Sequence, residues 1–265
     1  EVTAPKDMTR GIEYRVAQWM NQNMPGQRVM VPGSIAQWFN VWSNNPQLSG
    51  GSYSTTPNPS QQTAMTEILT SLEPATSILW MKAFGIQAVT MVGPKSTEFW
   101  KPYRNPQKFD GLLPVLWRED DVTIFKVPQR TTSLAHVIPR TAAALETYVE
   151  ALDDPSAPIA EMSWDGFRRA VIRTTAHTGQ VVSVQTAYHP GWHARANRRP
   201  AETVRDELGF LRIHPECQGA CEIELTYDGG WEYKLCRVIS VLTILGAGVW
   251  RIIYYLRRIT PRGSF

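Results

Sequence analysis

The sequence predicts an α+β protein: an N-terminal α/β domain with a partly parallel sheet, then a small antiparallel β-sandwich-like module, then one C-terminal transmembrane helix. Three features of the chain lead there. In the first half, a helical period followed by a glycine or Pro-Gly turn and an apolar strand occurs twice, the pattern of an α/β layer. After about residue 160 the period changes to two, the mark of half-buried antiparallel strands. From Val238 to Leu256, "VISVLTILGAGVWRIIYYL" is apolar apart from Arg251 and a few small residues, about the length that spans a bilayer core. The expected division is 1–140 for the α/β domain and 141–158 for a bridging helix and linker. The β-module then takes 159–235, the span 236–258 and a tail 259–265.

Taken in order, Ile12, Val16, Trp19 and Met20 recur at helical spacing, and "RVMVPGS" follows a Pro-Gly turn as a short strand. Residues 44–60 are rich in Asn, Pro, Gly and Ser without an apolar period, which predicts a long loop of the kind that carries function. Met65, Ile68, Leu69 and Leu72 predict a helix, and Thr76 to Phe84 a second one that stops on Gly85. "IQAVTMVG" and "DVTIFKVP" are strands, the latter ended by Pro128. Leu145, Tyr148, Val149 and Leu152 share one face of a bridging helix, closed by the proline-containing stretch Asp153 to Pro158. In the second module Val182, Val184, Thr186 and Tyr188 alternate with Ser183 and Gln185, and Ile223, Leu225 and Tyr227 alternate with Glu222, Glu224 and Thr226. "ELGFLRIHP" supplies a strand between them.

The 265 residues are 43% hydrophobic and 19% charged, enough apolar mass for two cores. A net charge of +3, with basic residues dispersed except near the end, lacks the clustered stripe of a nucleic-acid binder. Glu1 is not a start methionine and no signal peptide follows it, so the chain is expected to be a piece of a longer protein. Arg237 precedes the apolar span, and Arg257, Arg258 and Arg262 follow it. Trp250, Tyr254 and Tyr255 form an aromatic belt at its second end, and Arg251 is near enough to that end to snorkel. The positive-inside rule then places the tail in the cytoplasm and residues 1–235 outside, with a buried C-terminal helix as the competing reading. Cys217 and Cys221, in "CQGAC", suit a disulfide in an oxidising compartment; a free pair and a zinc site, which needs two further ligands, are the alternatives. Cys236 is read as apolar filler.

Candidate chemistry is sparse. His189 and His193 are four apart, but Pro190 and Gly191 oppose a helix, so no metal is assigned. The same turn presents Tyr188 and Trp192 with Arg195 and Asn197 as donors, a combination suited to sugar rings; the competing reading makes Trp192 a core plug. Trp38, Trp42 and Tyr53 flank or sit in the long loop and join the glycan-binding candidates. Asp110 with Glu119 suggests a glycosidase pair, against the reading of both as solvated loop charges. No GxSxG, Walker-type loop or GxGxxG is present, so no catalytic residue and no cofactor is assigned.

Four stretches carry a family resemblance: "RVMVPGSIAQWFNVWSNNPQLSGG", "WMKAFGIQAVTMVGPKSTEFWKPYRNPQKFDGLLPVLWREDDVTIFKVP", "YHPGWHARANRRP" and "CQGACEIELTYDGG". They resemble the C-terminal extracytoplasmic region of large bacterial multipass membrane proteins, the YfhO-like and 6-pyruvoyl-tetrahydropterin synthase-related membrane proteins, which are similar to GT-C glycosyltransferases. The resemblance implies an accessory domain, tethered to the bilayer and to an upstream transmembrane region, that meets a polyprenyl-linked sugar or a cell-envelope glycan. The catalytic acid of such enzymes is expected in an early loop upstream of Glu1. The histidine triad of a zinc-dependent pterin synthase is not visible. Arg198 stands where the family pattern expects the glycine of an Asn-Gly hairpin, which implies a longer loop or a shifted register. A non-enzymatic envelope scaffold is the alternative function, and a self-contained hydrolase using Asp110 or Glu119 the third.

Overall fold

The computed structural model describes residues 7–48 and 56–259, with side chains as far as Tyr255. The first unit is a three-layer sandwich. Its elements are α1 (Ile12–Asn23), β1 (Val29–Met30), α2 (Gly33–Trp42), α3 (Pro59–Thr70), α4 (Pro74–Ala83), β2 (Ala88–Val92), β3 (Val115–Glu119) and β4 (Val122–Lys126). The sheet order is β1-β2-β4-β3, with β1 parallel to β2 and the other pairs antiparallel. Every residue of β2 is buried because both faces are covered, which is why it is apolar almost throughout. Ala88 and Val92 face the core of α1 and α2, with Val16, Met20, Ile35 and Phe39; Val89 and Met91 face that of α3 and α4, with Met65, Ile68 and Met81.

The helix α2 has no counterpart in the sequence reading, and its cap explains why. Pro32 at its N-cap offers no side-chain oxygen, and the exposed backbone donor of Ser34 is satisfied instead by Glu98, 64 positions away (3.0 Å). Gly33, at φ +64°, is required there, since a Cβ would stand 2.6 Å from the carbonyl oxygen of Trp100.

The second unit is an eight-stranded antiparallel sheet curled toward a barrel. It contains β5 (Ala135–Pro139), β6 (Glu161–Asp165), β7 (Arg169–Ala176), β8 (Gln180–Ala187), β9 (Trp192–Ala196), β10 (Arg199–Arg205), β11 (Phe210–His214) and β12 (Gly219–Tyr227), in the order β5-β8-β11-β10-β9-β12-β7-β6. The strand β10 turns the corner: residues 199–201 pair with β9 and 202–205 with β11. A bridge between His136 and Ile159 draws the two edges together. Alternate residues, among them Val137, Ile172, Val184, Leu211 and Ile223, fill the interior.

One boundary, the burial of one strand and one turn differ from the expectation. The strand β5 falls within 1–140, yet it is an edge of the second sheet, paired from Ala135↔Val184 to Pro139↔Gln180; a short apolar run carries no mark of which sheet it will join. The strand β8 was expected to be half-buried, but Ser183 and Gln185 are also buried. Its second face lies under α4 and α5 (Leu145–Asp153), whose Tyr148 bonds Ser183 (2.9 Å). Ile138, Val181 and Phe210 of the barrel share one continuous core with α3, α4 and α5, so α5 does bridge the two units. The β9–β10 turn also departs from expectation. Asn197 (φ +47°) and Arg198 (φ +68°) form a two-residue loop of type I′ character, with Arg199 paired to Ala196, so the register is kept although no glycine is present.

Cys217 and Cys221 form a disulfide, their Cα atoms 5.8 Å apart. From β12 the chain passes through two residues into α6 (Gly230–Ile259). Its portion from Gly230 to Tyr255 is long and apolar enough to cross a membrane, and every side chain from Trp231 to Tyr255 is exposed, which rules out a buried core helix.

Candidate functional site

A cleft of about 280 Å³ opens where the two units meet, lined by Arg28, Gln47, Asn58, Gln61, Thr186 and the rings of Phe84 and Phe210, with Gln185 at its back. The sequence around 44–60, expected to be a functional loop, supplies Pro46, Gln47, Leu48 and Asn58 to its rim. Arg28 is carried in by the chain entering β1, and its guanidinium donates to the carbonyl oxygens of Phe84 (2.9 Å) and Gln185 (2.7 Å). No carboxylate pairs with it among the described residues. Burial lowers its pKa to about 10, which still leaves it charged at neutral pH.

Three of the polar wall residues, Asn58, Gln61 and Gln185, are held by structural bonds. The Oδ1 of Asn58 caps α3 at Ser60 N (3.0 Å), while its Nδ2 reaches the Leu208 carbonyl across the cleft (2.9 Å). Gln61 donates to the Leu48 carbonyl (2.6 Å). Gln185 donates to the Ala83 (2.9 Å) and Lys82 (3.2 Å) carbonyls at the C-terminal end of α4, where Gly85 N also bonds the Lys82 carbonyl (3.0 Å) and Gly85 takes φ +64°. Its Oε1 accepts from His136 Nε2 (3.2 Å), whose pKa burial pushes down to about 4, so that imidazole is neutral. The floor is aromatic, Phe84 meeting Phe210 edge-on at 4.7 Å. Chemically this is a recess bordered by amide, guanidinium and hydroxyl groups and backed by the buried core. The described lining offers groups that can hydrogen-bond a ligand.

The residues singled out from the sequence lie elsewhere, in two groups. Trp38 and Trp42 stack on one another on α2 (6.1 Å, 25° between planes), with Tyr14 edge-on to Trp42 at 5.5 Å. Trp42 leans on the α1–α2 core, whereas Trp38 is 42% exposed. Tyr53 lies outside the described residues. Tyr188 and Trp192 sit at one end of the barrel. Trp192, 8% exposed, belongs to the barrel core and packs between Tyr227 (4.8 Å) and Trp164 (6.2 Å), so it is a plug rather than an open platform. Arg195 bonds the Arg198 carbonyl (2.8 Å), holding the β9–β10 turn. Asn197 is committed to β12: its amide nitrogen donates to the Ala220 carbonyl (3.1 Å) and its Oδ1 accepts from Glu222 N (2.9 Å).

The stretch "YHPGWH" therefore builds a joint. Gly191 O accepts from Asp228 N (3.0 Å), His189 Nδ1 accepts from Gly191 N (3.0 Å), and the His189 ring meets Tyr227 edge-on at 5.4 Å. Asp228 accepts from Gly230 N (2.8 Å), the first residue of α6, and also pairs with Lys234 (2.7 Å) and His193 (3.3 Å). These partners, Lys234 first, hold its carboxyl well below the usual range. Asp110 and Glu119 each pair with a different arginine, Arg118 and Arg15, and border different depressions. Among the described residues no group of three His, Cys, Asp or Glu side chains is placed to hold a metal ion.

Arg28, Gln185 and Phe210 were missed because nothing local distinguishes them. The one local trace is a charged residue, Arg28, placed directly before an apolar strand. No family model, curated protein or solved structure matches the chain.

Proposed function

We propose that this chain is a membrane-tethered extracytoplasmic domain that positions a glycan, acting as an accessory part of a lipid-linked-sugar-dependent, GT-C-like membrane protein and supplying no catalytic acid of its own. The observation that carries the reading is the cleft between the units. The Arg28 guanidinium, the Gln47 and Gln61 amides and the Thr186 hydroxyl border a volume suited to one sugar ring, backed by the buried core pair Phe84 and Phe210. The side assignment is supported by the disulfide, which persists in oxidising compartments, and by Arg257, Arg258 and Arg262 beyond the apolar helix. The parent enzyme class rests on the family resemblance of the four quoted stretches.

The test is saturable binding by the full chain in nanodiscs, titrated with a panel of hexoses, N-acetylhexosamines and uronic acids. The variant Thr186→Val, which removes a hydroxyl with no hydrogen bond of its own among the described residues, is expected to weaken binding of the best sugar about tenfold, about 1.4 kcal/mol, with a nearly unchanged melting temperature. Equal binding by the variant would remove the cleft from the function. A docking scaffold is the second reading, favoured by the exposed apolar side chains Trp38, Val41, Phe99 and Trp100 on the α/β unit. It predicts no saturable sugar binding at all.

A further inference from the structure

We infer that the barrel end from which α6 emerges rests on the lipid bilayer, with the β6–β7 hairpin tip seated among the headgroups beside the first turn of the helix. The inference rests on α6 being a membrane span. Strand register puts the two features at one level: Thr226 pairs with Arg169, and Tyr227 N donates to the Arg168 carbonyl (2.8 Å). The hairpin tip, with Gly166 at φ +66°, thus stands where β12 ends and α6 is about to begin. That tip exposes Phe167 (85%), and Trp164 beside it is 43% exposed. Across the gap, α6 exposes Trp231 and Tyr233 in its first turn, and the Arg168 guanidinium lies over the Tyr233 ring at 5.5 Å. Water is a poor medium for such a cluster. The headgroup zone is a good one, since it accepts amphipathic rings and basic side chains together.

Two further facts point to lipid as the occupant. The helix from Gly230 to Tyr255 has 26 residues, about 39 Å at 1.5 Å each, whereas the hydrocarbon core needs about 30 Å. About six residues are left for the interface, and Trp231 to Lys234 are the ones on the barrel side. The joint is also short and closely bonded. Only Asp228 and Gly229 separate β12 from α6, and Asp228 is bonded to Gly191, Gly230, Lys234 and His193 at once. At Gly191 a Cβ would meet Gly230 N at 2.5 Å, so the turn and the helix start are in backbone contact. A barrel fixed so close to a span has its hairpin tip at the membrane surface.

The experiment uses the full chain in phosphatidylcholine–phosphatidylglycerol nanodiscs, with Cys236→Ser as background and a nitroxide on a single introduced cysteine. Relative accessibility to oxygen and to a water-soluble nickel chelate is read at three variants: Phe167→Cys on the hairpin tip, Thr178→Cys at the opposite barrel end, and Leu245→Cys in the span. The expected result is oxygen-favoured values at Leu245→Cys, nickel-favoured values at Thr178→Cys, and a several-fold shift toward oxygen at Phe167→Cys relative to Thr178→Cys. If Phe167→Cys matches Thr178→Cys while Leu245→Cys reads lipid, the docking inference is overturned and the span stands. If Leu245→Cys reads aqueous, the span fails and the inference with it. Protection of Phe167→Cys from both reagents means protein covers the tip, which also overturns the lipid assignment.

Discussion

The cleft between the two units and the barrel end at α6 are both dense in aromatic and hydrogen-bonding side chains, yet they spend them differently. At the barrel end Trp192, Tyr227, His189 and Asp228 face one another or the backbone, and the result is a rigid joint. In the cleft Arg28 and Gln61 border open space after their structural bonds are made, beside Thr186. A ligand site is marked by polar groups left facing a cavity once the fold has satisfied itself, not by their density in the chain.

The largest test of that contrast is Trp192→Ala against Trp38→Ala. The first empties a core position and is expected to cost about 3–5 kcal/mol in denaturant unfolding; the second removes an exposed partner and should cost less than about 1 kcal/mol. Equal losses would erase the distinction between plug and surface. Next comes acid titration of the cleft's supporting network. The folded-state pKa of His136 is about 4, below the ordinary 6.5, so the unfolded chain takes up its proton first. Its contribution is therefore present above about pH 6.5 and lost as pH falls toward 4, at about 1 kcal/mol per unit. Burial raises the Asp206 pKa to about 6 and so acts with the opposite sign below that pH. The His136 contribution is therefore read as a difference: the native chain should lose unfolding midpoint relative to His136→Gln as pH falls from about 6.5 to 4. The smallest effect is at the barrel hairpin. Arg198→Gly relieves a side chain held at φ +68° and should stabilise by about 0.5–1 kcal/mol, readable as a raised midpoint with an unchanged slope.

Much of the architecture was legible because period and punctuation are local properties. The helices α1, α3, α4 and α5, the glycine stop at Gly85 and the strands β2, β4, β8, β11 and β12 follow from apolar spacing within each segment. The helix α2 was not, because its cap is a carboxylate from Glu98 rather than its own N-cap side chain. The candidate site fared worse. Trp38 and Trp42 do stack, but neither they nor Tyr188, Trp192, Arg195 and Asn197 line the cleft. Aromatic residues near a Pro-Gly turn look the same whether they face a ligand or a neighbouring strand.

By itself the sequence determined the α+β class, the apolar helix at the C-terminal end and the close cysteine pair, since each depends on composition and spacing along the chain. Tertiary structure alone decided that β5 joins the second sheet, that Gln185 is buried beneath α4, and that Arg28 meets Phe210 across a cleft. The reason is one of range. A period is set by neighbours three or four residues apart, whereas Arg28 finds its acceptor 157 positions away, where only packing of two separately formed layers can bring it.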